Sequence, residues 1–181
     1  MLILTIGHST RTLDDFLDIL RAHAIVRLVD IRTIPRSRHN PQFNRESLSE
    51  SLKEPAIEYV LVRQLGGLRH PKPDSVNTDW RNSSFRGFAD YMQTKEFANG
   101  IDQLIELAQN GQVAIMCAEI LPWRCHRWLI GDALTIRGVQ VEHIMTIKKR
   151  TKHSLTKMGS YRGYPDYLSG RVLRNSSLIS G

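Results

Sequence analysis

Residues 113–145 read VAIMCAEILPWRCHRWLIGDALTIRGVQVEHIM, and this stretch decides the fold. It opens on an apolar run at 113–118 and closes on another at 139–145, both rich in the Val and Ile that buried parallel strands favour. Between them Trp128, Leu129, Ala133 and Ile136 recur at helical spacing. Pro122 can open that helix and Gly138 can end it. A strand, a helix and a second strand in this order make a parallel pair with a right-handed crossover.

Working outward, the same alternation fills the rest of the chain. Apolar runs at 2–6, 26–31 and 57–62 read as three more strands. Thr12 is a helix N-cap with Asp15 three residues on, followed by an apolar stripe of Leu13, Phe16, Leu17 and Leu20. Asn44 is the cap expected for a second helix bearing Leu48 and Leu52, which Pro55 ends. Phe97, Ile101, Leu104, Ile105 and Ala108 mark another, stopped by Asn110-Gly111. The expected class is α/β: a Rossmann-like three-layer sandwich around a mostly parallel five-stranded sheet, order 3-2-1-4-5. Residues 1–147 read as one domain, with an insertion at about 63–96 that carries Gly66-Gly67, Pro71, Pro73 and an aromatic stretch from Trp80 to Tyr91. A connection that long in a compact domain is often a binding loop.

The chain has 181 residues, with Lys+Arg 25 against Asp+Glu 18, a net charge of +7. That sum suggests a nucleic-acid binder, but its location matters. Residues 1–147 hold 17 bases and 17 acids, so the body is neutral. Residues 148–181 hold eight bases (Lys148, Lys149, Arg150, Lys152, Lys157, Arg162, Arg171, Arg174) and one acid, Asp166, and read as a basic C-terminal extension. Within the body, Arg32, Arg36, Arg38 and Arg45 form a local run without an acid, suited to a phosphate or carboxylate. No apolar run approaches the 18–20 residues of a membrane helix, and the N-terminus reads as a strand rather than a signal peptide. Two cysteines, Cys117 and Cys125, make no secreted disulfide framework, so a cytoplasmic location is the expectation.

Ligands of an open parallel sheet sit beyond the carboxyl ends of its strands. Three of those ends are unusually polar here. The first strand runs into Gly7-His8-Ser9-Thr10-Arg11, and the second into Asp30-Ile31-Arg32, then Pro35-Arg36-Ser37-Arg38. The fourth runs into Cys117-Ala118-Glu119 and Pro122-Trp123-Arg124-Cys125-His126-Arg127. An ordinary turn between strand and helix needs only a glycine and a cap, so the three clusters point to a functional site.

These segments resemble the domain-of-unknown-function family 488, a bacterial and archaeal family. The resemblance rests on Thr5-Ile6-Gly7-His8-Ser9, Asp30-Ile31-Arg32 with Pro35 and Ser37-Arg38, Asn40-Pro41-Gln42-Phe43, and Leu65-Gly66-Gly67. It extends through Trp80-Arg81-Asn82, Phe85-Arg86-Gly87, and Cys117-Ala118-Glu119 to Cys125-His126-Arg127. It implies an α/β domain in which these motifs form the characteristic site, and it implies no particular substrate.

Four chemistries compete for that site. A strand-end cysteine followed by a helix-start arginine looks like a phosphatase or rhodanese loop. Against this, six residues separate Cys117 from Arg124, and they include Glu119 and Pro122 but no glycine. A carboxylate there repels phosphate and a proline offers no N–H. Nucleophilic or redox chemistry would centre on Cys125, expected in the first helical turn between Arg124 and His126, with Cys117 as its resolving partner. A metal could draw S, O and N ligands from Cys117, Glu119, Cys125 and His126, with His8 a further candidate, but Cys-x7-Cys-His is not a familiar zinc spacing and no CxxC is present, so zinc is not the favoured cofactor. Finally, Glu119, His8 and Asp30 can supply an acid or base, while Arg32, Arg38 and Arg127 hold an anion.

Ser9, Ser37, Phe43, Trp80 and His126 complete the expected substrate side. The bland alternatives are an Asp30–Arg32 brace and aromatics that merely anchor the loop. His23, His70, His143 and His153 suggest no role. The expectation is an enzyme acting on a phosphate-bearing small molecule or nucleic acid, with no membrane partner. Its rivals are a nucleic-acid-binding module that uses the basic extension, and a Cys/His/Glu metal-binding protein.

Overall fold

The computed structural model describes residues 1–156. Strands β1 (Leu2–Gly7), β2 (Arg27–Asp30), β3 (Glu58–Leu61), β4 (Val113–Cys117), β5 (Gln140–Thr146) and β6 (Lys149–Lys152) form one sheet. Helices α1 (Leu13–Ala22), α2 (Arg45–Ser51), α3 (Ser83–Tyr91), α4 (Lys95–Leu107) and α5 (Arg127–Ile136) cover it. This is the expected α/β, Rossmann-like sandwich with a mostly parallel sheet.

Side-chain alternation sorts the core into two layers. Leu4, Ile6, Leu28, Ala114 and Met116 face α1 and α2, packing on Phe16, Leu20, Leu48 and Leu52. Ile3, Val29, Ile31, Val113, Ile115 and Cys117 face α3, α4 and α5, packing on Phe88, Ile101, Leu104 and Leu129. Each fully buried Leu, Ile or Phe contributes about 1.5–3 kcal/mol, so both faces of the central strands hold the sheet. No helix among the described residues is long and apolar enough to cross a membrane.

The strand order is β3-β2-β4-β1-β5-β6, so β4 stands between β1 and β2 rather than outside β1. Val113 pairs in register with Ile3 on one side and with Arg27 on the other. Apolar runs mark buried strands but do not order them, because β1, β2 and β4 are alike in burying both faces. The sixth strand is antiparallel to β5, with Glu142 opposite Lys152 and Arg150 bridged to Glu142 at 3.1 Å. It reads KRTK and lies largely exposed at the sheet edge, where charge blocks further pairing. A strand of that kind leaves no apolar run to find. Residues 149–156 of the basic extension are thus bonded to the body, whereas Lys157, Arg162, Arg171 and Arg174 lie outside the described residues.

Local capping follows the sequence in part. Thr12 accepts from the Asp15 amide and Thr94 from the Phe97 amide. Asn44 instead turns away from α2 and accepts from the Ser37 amide at 2.7 Å, which closes the loop after β2. Pro122 opens a 3-10 turn, Pro122–Arg124, and α5 starts only at Arg127.

Candidate functional site

With β4 in the middle, its carboxyl end touches the ends of both neighbours. The His8 and Ser9 amides donate to the Cys117 and Ala118 carbonyls at 3.0 and 2.8 Å, and the Ile31 amide donates to Met116 at 3.1 Å. β1 and β2 lead into helices on one face and β4 into α5 on the other, so the crevice opens here. Gly7 is required: a Cβ there would lie 1.9 Å from the Glu119 carbonyl oxygen. Ser9 takes a left-handed φ of 48°, a strained turn for a residue with a side chain.

Asp30 is fully buried and its carboxylate is saturated. It accepts from the Arg32 amide at 2.9 Å, from the Arg32 guanidinium at 2.6 and 2.9 Å, and from the Tyr59 hydroxyl at 2.7 Å. The brace reading of Asp30-x-Arg32 therefore describes its geometry, and no lone pair is left facing a substrate. Burial pulls the Arg32 guanidinium down, but the Asp30 hydrogen bonds and charge outweigh it and hold it above its ordinary pKa. The same guanidinium donates to the Phe43 carbonyl at 2.8 Å and to His8 Nε2 at 3.2 Å. Since arginine can only donate, His8 Nε2 is the acceptor and Nδ1–H donates to the Ser9 carbonyl at 2.9 Å. Burial first, and the Arg32 charge with it, lower the His8 pKa. Phe43 is fully buried, stacked beneath His8 at 4.2 Å, so it supports the imidazole and does not reach a ligand.

Cys117 ends β4, and Cys125 and His126 stand between the 3-10 turn and α5. Their two Sγ atoms and an imidazole nitrogen lie within 4.8 Å of one another. Cys125 sits just before the helix, not inside its first turn. The hydrogen bond from the Cys125 thiol pushes Cys117 well below the usual thiol range, with His126 and Arg127 adding to it against burial. Donating that proton, together with burial, pushes Cys125 well above it. Arg127 is 1% exposed, too deep to hold a substrate. It donates to the Ile6 and Ile120 carbonyls, both at 2.8 Å, and so straps the loop after β4 to the end of β1.

Two clefts meet at this edge. The first, about 330 Å³, is lined by Cys117, Cys125, His126, Arg124, Phe85 and Gly67, among others. The second, about 440 Å³, is lined by His8, Ser9, Thr10, Arg36, Ser37 and Asn40, among others. They share Arg32, Ile34, Ala118 and Glu119. Glu119 Oε1 accepts from the Leu121 amide at 3.1 Å, which fixes the carboxylate at the junction.

The structure thus brings together Cys117, Glu119, Cys125, His126, His8, Ser9, Arg32 and Ser37. Arg38 is exposed outside both clefts, and Trp80 stacks on Phe85 at 5.1 Å, behind the wall that Phe85 forms. Arg36, a member of the arginine run after β2, lines the second cleft, and Arg124 and Phe85 line the first. Asp90 orders the insertion by accepting from the Lys72 amide, Ser75 and Asn77; these bonds outweigh burial and lower its pKa.

A second polar network, which sequence reasoning missed, lies under α5. Asp132 accepts from His153 Nε2 at 2.8 Å, His153 Nδ1 meets His143 Nε2 at 3.1 Å, and His143 Nδ1 meets Thr5 Oγ1 at 2.8 Å. Thr156 joins Asp132 to the Trp128 indole. Burial, helped by His153 and Arg127, lowers the His143 pKa to about 3. The network draws its members from four segments, β1, α5, β5 and the stretch after β6, so no local motif announces them.

A family model described as "Domain of unknown function DUF488" matches residues 12–134. No curated protein and no solved structure matches the chain.

Proposed function

Because this chain belongs to the family described as domain of unknown function DUF488, whose motifs build the double cleft, we propose that it is an enzyme acting there on a phosphate-bearing ligand, a nucleotide or the end of a nucleic-acid strand. The observation that carries this reading is the contrast between the two adjoining linings. One half offers hydroxyls and a guanidinium, from Ser9, Thr10, Ser37 and Arg36. The other offers apolar and aromatic surface, from Ile34, Leu68 and Phe85, beside Cys117, Cys125 and His126. A phosphate suits the first half and a ring the second. Arg32 faces both, locked by Asp30, and supplies a fixed positive charge at the junction. Glu119 is the general acid or base in this reading, since it lines both clefts and holds a carboxylate where they meet. His8 and Asp30 are positioning residues, because Asp30 is committed to Arg32 and Tyr59, and His8 to Arg32 and the Ser9 carbonyl.

Calorimetric titration tests this directly. Nucleoside phosphates should bind, nucleosides without phosphate should bind at least about tenfold more weakly, and Arg36→Ala should erase most of that difference. Glu119→Gln should keep binding and lose turnover. If the nucleoside binds as well as its phosphate, the reading is wrong.

A further inference from the structure

We propose that Cys117, Cys125 and His126 form a three-ligand site for a zinc-class metal ion, with a fourth coordination position open to the cleft. The spacing argued against this in the sequence, but the fold supplies what the spacing does not. Cys117 comes from the end of β4, while the other two ligands follow the turn at Pro122–Arg124. Cys125 is extended (φ −128°, ψ 147°) and His126 is helical (φ −56°, ψ −20°). That switch brings two consecutive side chains to one side, so Cys125 Sγ stands 3.5 Å from His126 Nδ1. Thiolate and imidazole ligands on one tetrahedral zinc lie about 3.5–3.8 Å apart, and all three ligand atoms already fall within 4.8 Å.

The far side of His126 gives an independent argument. Its Nε2 lies 3.2 Å from the Ile31 carbonyl oxygen. A carbonyl only accepts, so Nε2 carries the proton and the Nδ1 lone pair points at the sulfurs. A backbone carbonyl that fixes the imidazole tautomer in this way is the outer partner a metal-bound histidine commonly has. Gly67 makes room for that orientation, since a Cβ there would stand 2.3 Å from His126 Nδ1. Three protein ligands beside an open cleft match sites at which zinc keeps a water or substrate position, not sealed structural sites. Glu119 lines the same cleft.

The test uses full-length, reduced protein, stripped with a chelator and titrated with cobalt(II). One cobalt per chain should bind, with the thiolate charge-transfer bands and intense visible bands of a tetrahedral ion, and one zinc should displace it. In the wild-type protein, bound zinc should shield both thiols from alkylation. Cys117→Ser and Cys125→Ser should each weaken the charge-transfer bands. Gly67→Ala keeps every ligand but tilts His126, and should lower affinity about 10–100-fold. The proposal is overturned if the stripped protein takes up no stoichiometric cobalt, or if zinc leaves both thiols open to alkylation. Metal binding and nucleotide binding are read separately, so either can fail without the other.

Discussion

Replacing Asp30 with Asn tests whether the site is held by a desolvated ion pair. Asp30 is 0% and Arg32 5% exposed, so neither charge is screened by water. The carboxylate takes donors from the Arg32 amide, the Arg32 guanidinium and Tyr59. An asparagine matches the shape but removes the negative charge and turns an N–H2 group towards donors. Arg32 is then left buried with no counter-charge. Stranding one member of a buried pair costs about 3–5 kcal/mol. At roughly 2–4 °C per kcal/mol for a chain of this size, the melting temperature should fall by roughly 6–20 °C.

Urea denaturation at pH 7, followed by tryptophan fluorescence, gives the free energy directly. Arg32→Met should also destabilise, and the double variant should lose less than the two singles combined, since the second change removes the stranded charge. Tyr59→Phe, which removes one donor, should cost about 1.5–3 kcal/mol. A loss under about 1 kcal/mol for Asp30→Asn is what a water-screened surface pair gives. That result, or strictly additive singles, would refute the argument.

Three other perturbations bear on the same structure. His143 titrates at about 3 when folded and at about 6.5 when unfolded, so the unfolded chain takes up its proton first. Stability should therefore be complete above about pH 6.5 and fall by up to about 4 kcal/mol towards pH 3, and His143→Gln should flatten that slope in acid denaturation curves. Removing 148–181 takes away β6 and the His153 and Thr156 bonds to buried Asp132, and should cost about 3 kcal/mol or more by calorimetry. Nucleic-acid affinity carried by the basic extension should drop steeply with salt and be lost on truncation after Ile147. Gly7→Ala places a methyl against the Glu119 backbone, which cannot give way as a side chain would. It should destabilise by about 3 kcal/mol in denaturant, and equal stability would show that the loop after β4 is free to shift.

The apolar runs and caps were legible because they obey local rules. Thr12 caps α1 and Phe16, Leu17 and Leu20 bury its inner face, as three- and four-residue spacing requires. β6 was not legible, because an exposed edge strand needs hydrogen-bonding backbone and no apolar side chains. Of the polar residues at the strand ends, sequence placed the cluster but not the division of labour. Arg127 and Asp30 look like ligand-facing charges in sequence and are buried braces in the fold. Phe43 looks like a stacking platform for a ligand and is one for His8. Cys125 looks like a separate reactive thiol in sequence, whereas in the fold the two sulfurs and His126 stand together as one cluster.

The sequence by itself determined that this chain alternates strands and helices around a parallel sheet, and that three polar strand ends collect at one edge. Periodicity and chain connectivity are local, and they suffice for that much. Only the tertiary structure decided that β4 lies between β1 and β2. That single choice sets Cys117 beside both neighbouring strand ends, turns His126 onto the Ile31 carbonyl, and joins two clefts at Arg32 and Glu119. Strand order follows from how whole layers pack, and charge, acidity and ligand geometry follow from burial, so neither is written in any local stretch of residues.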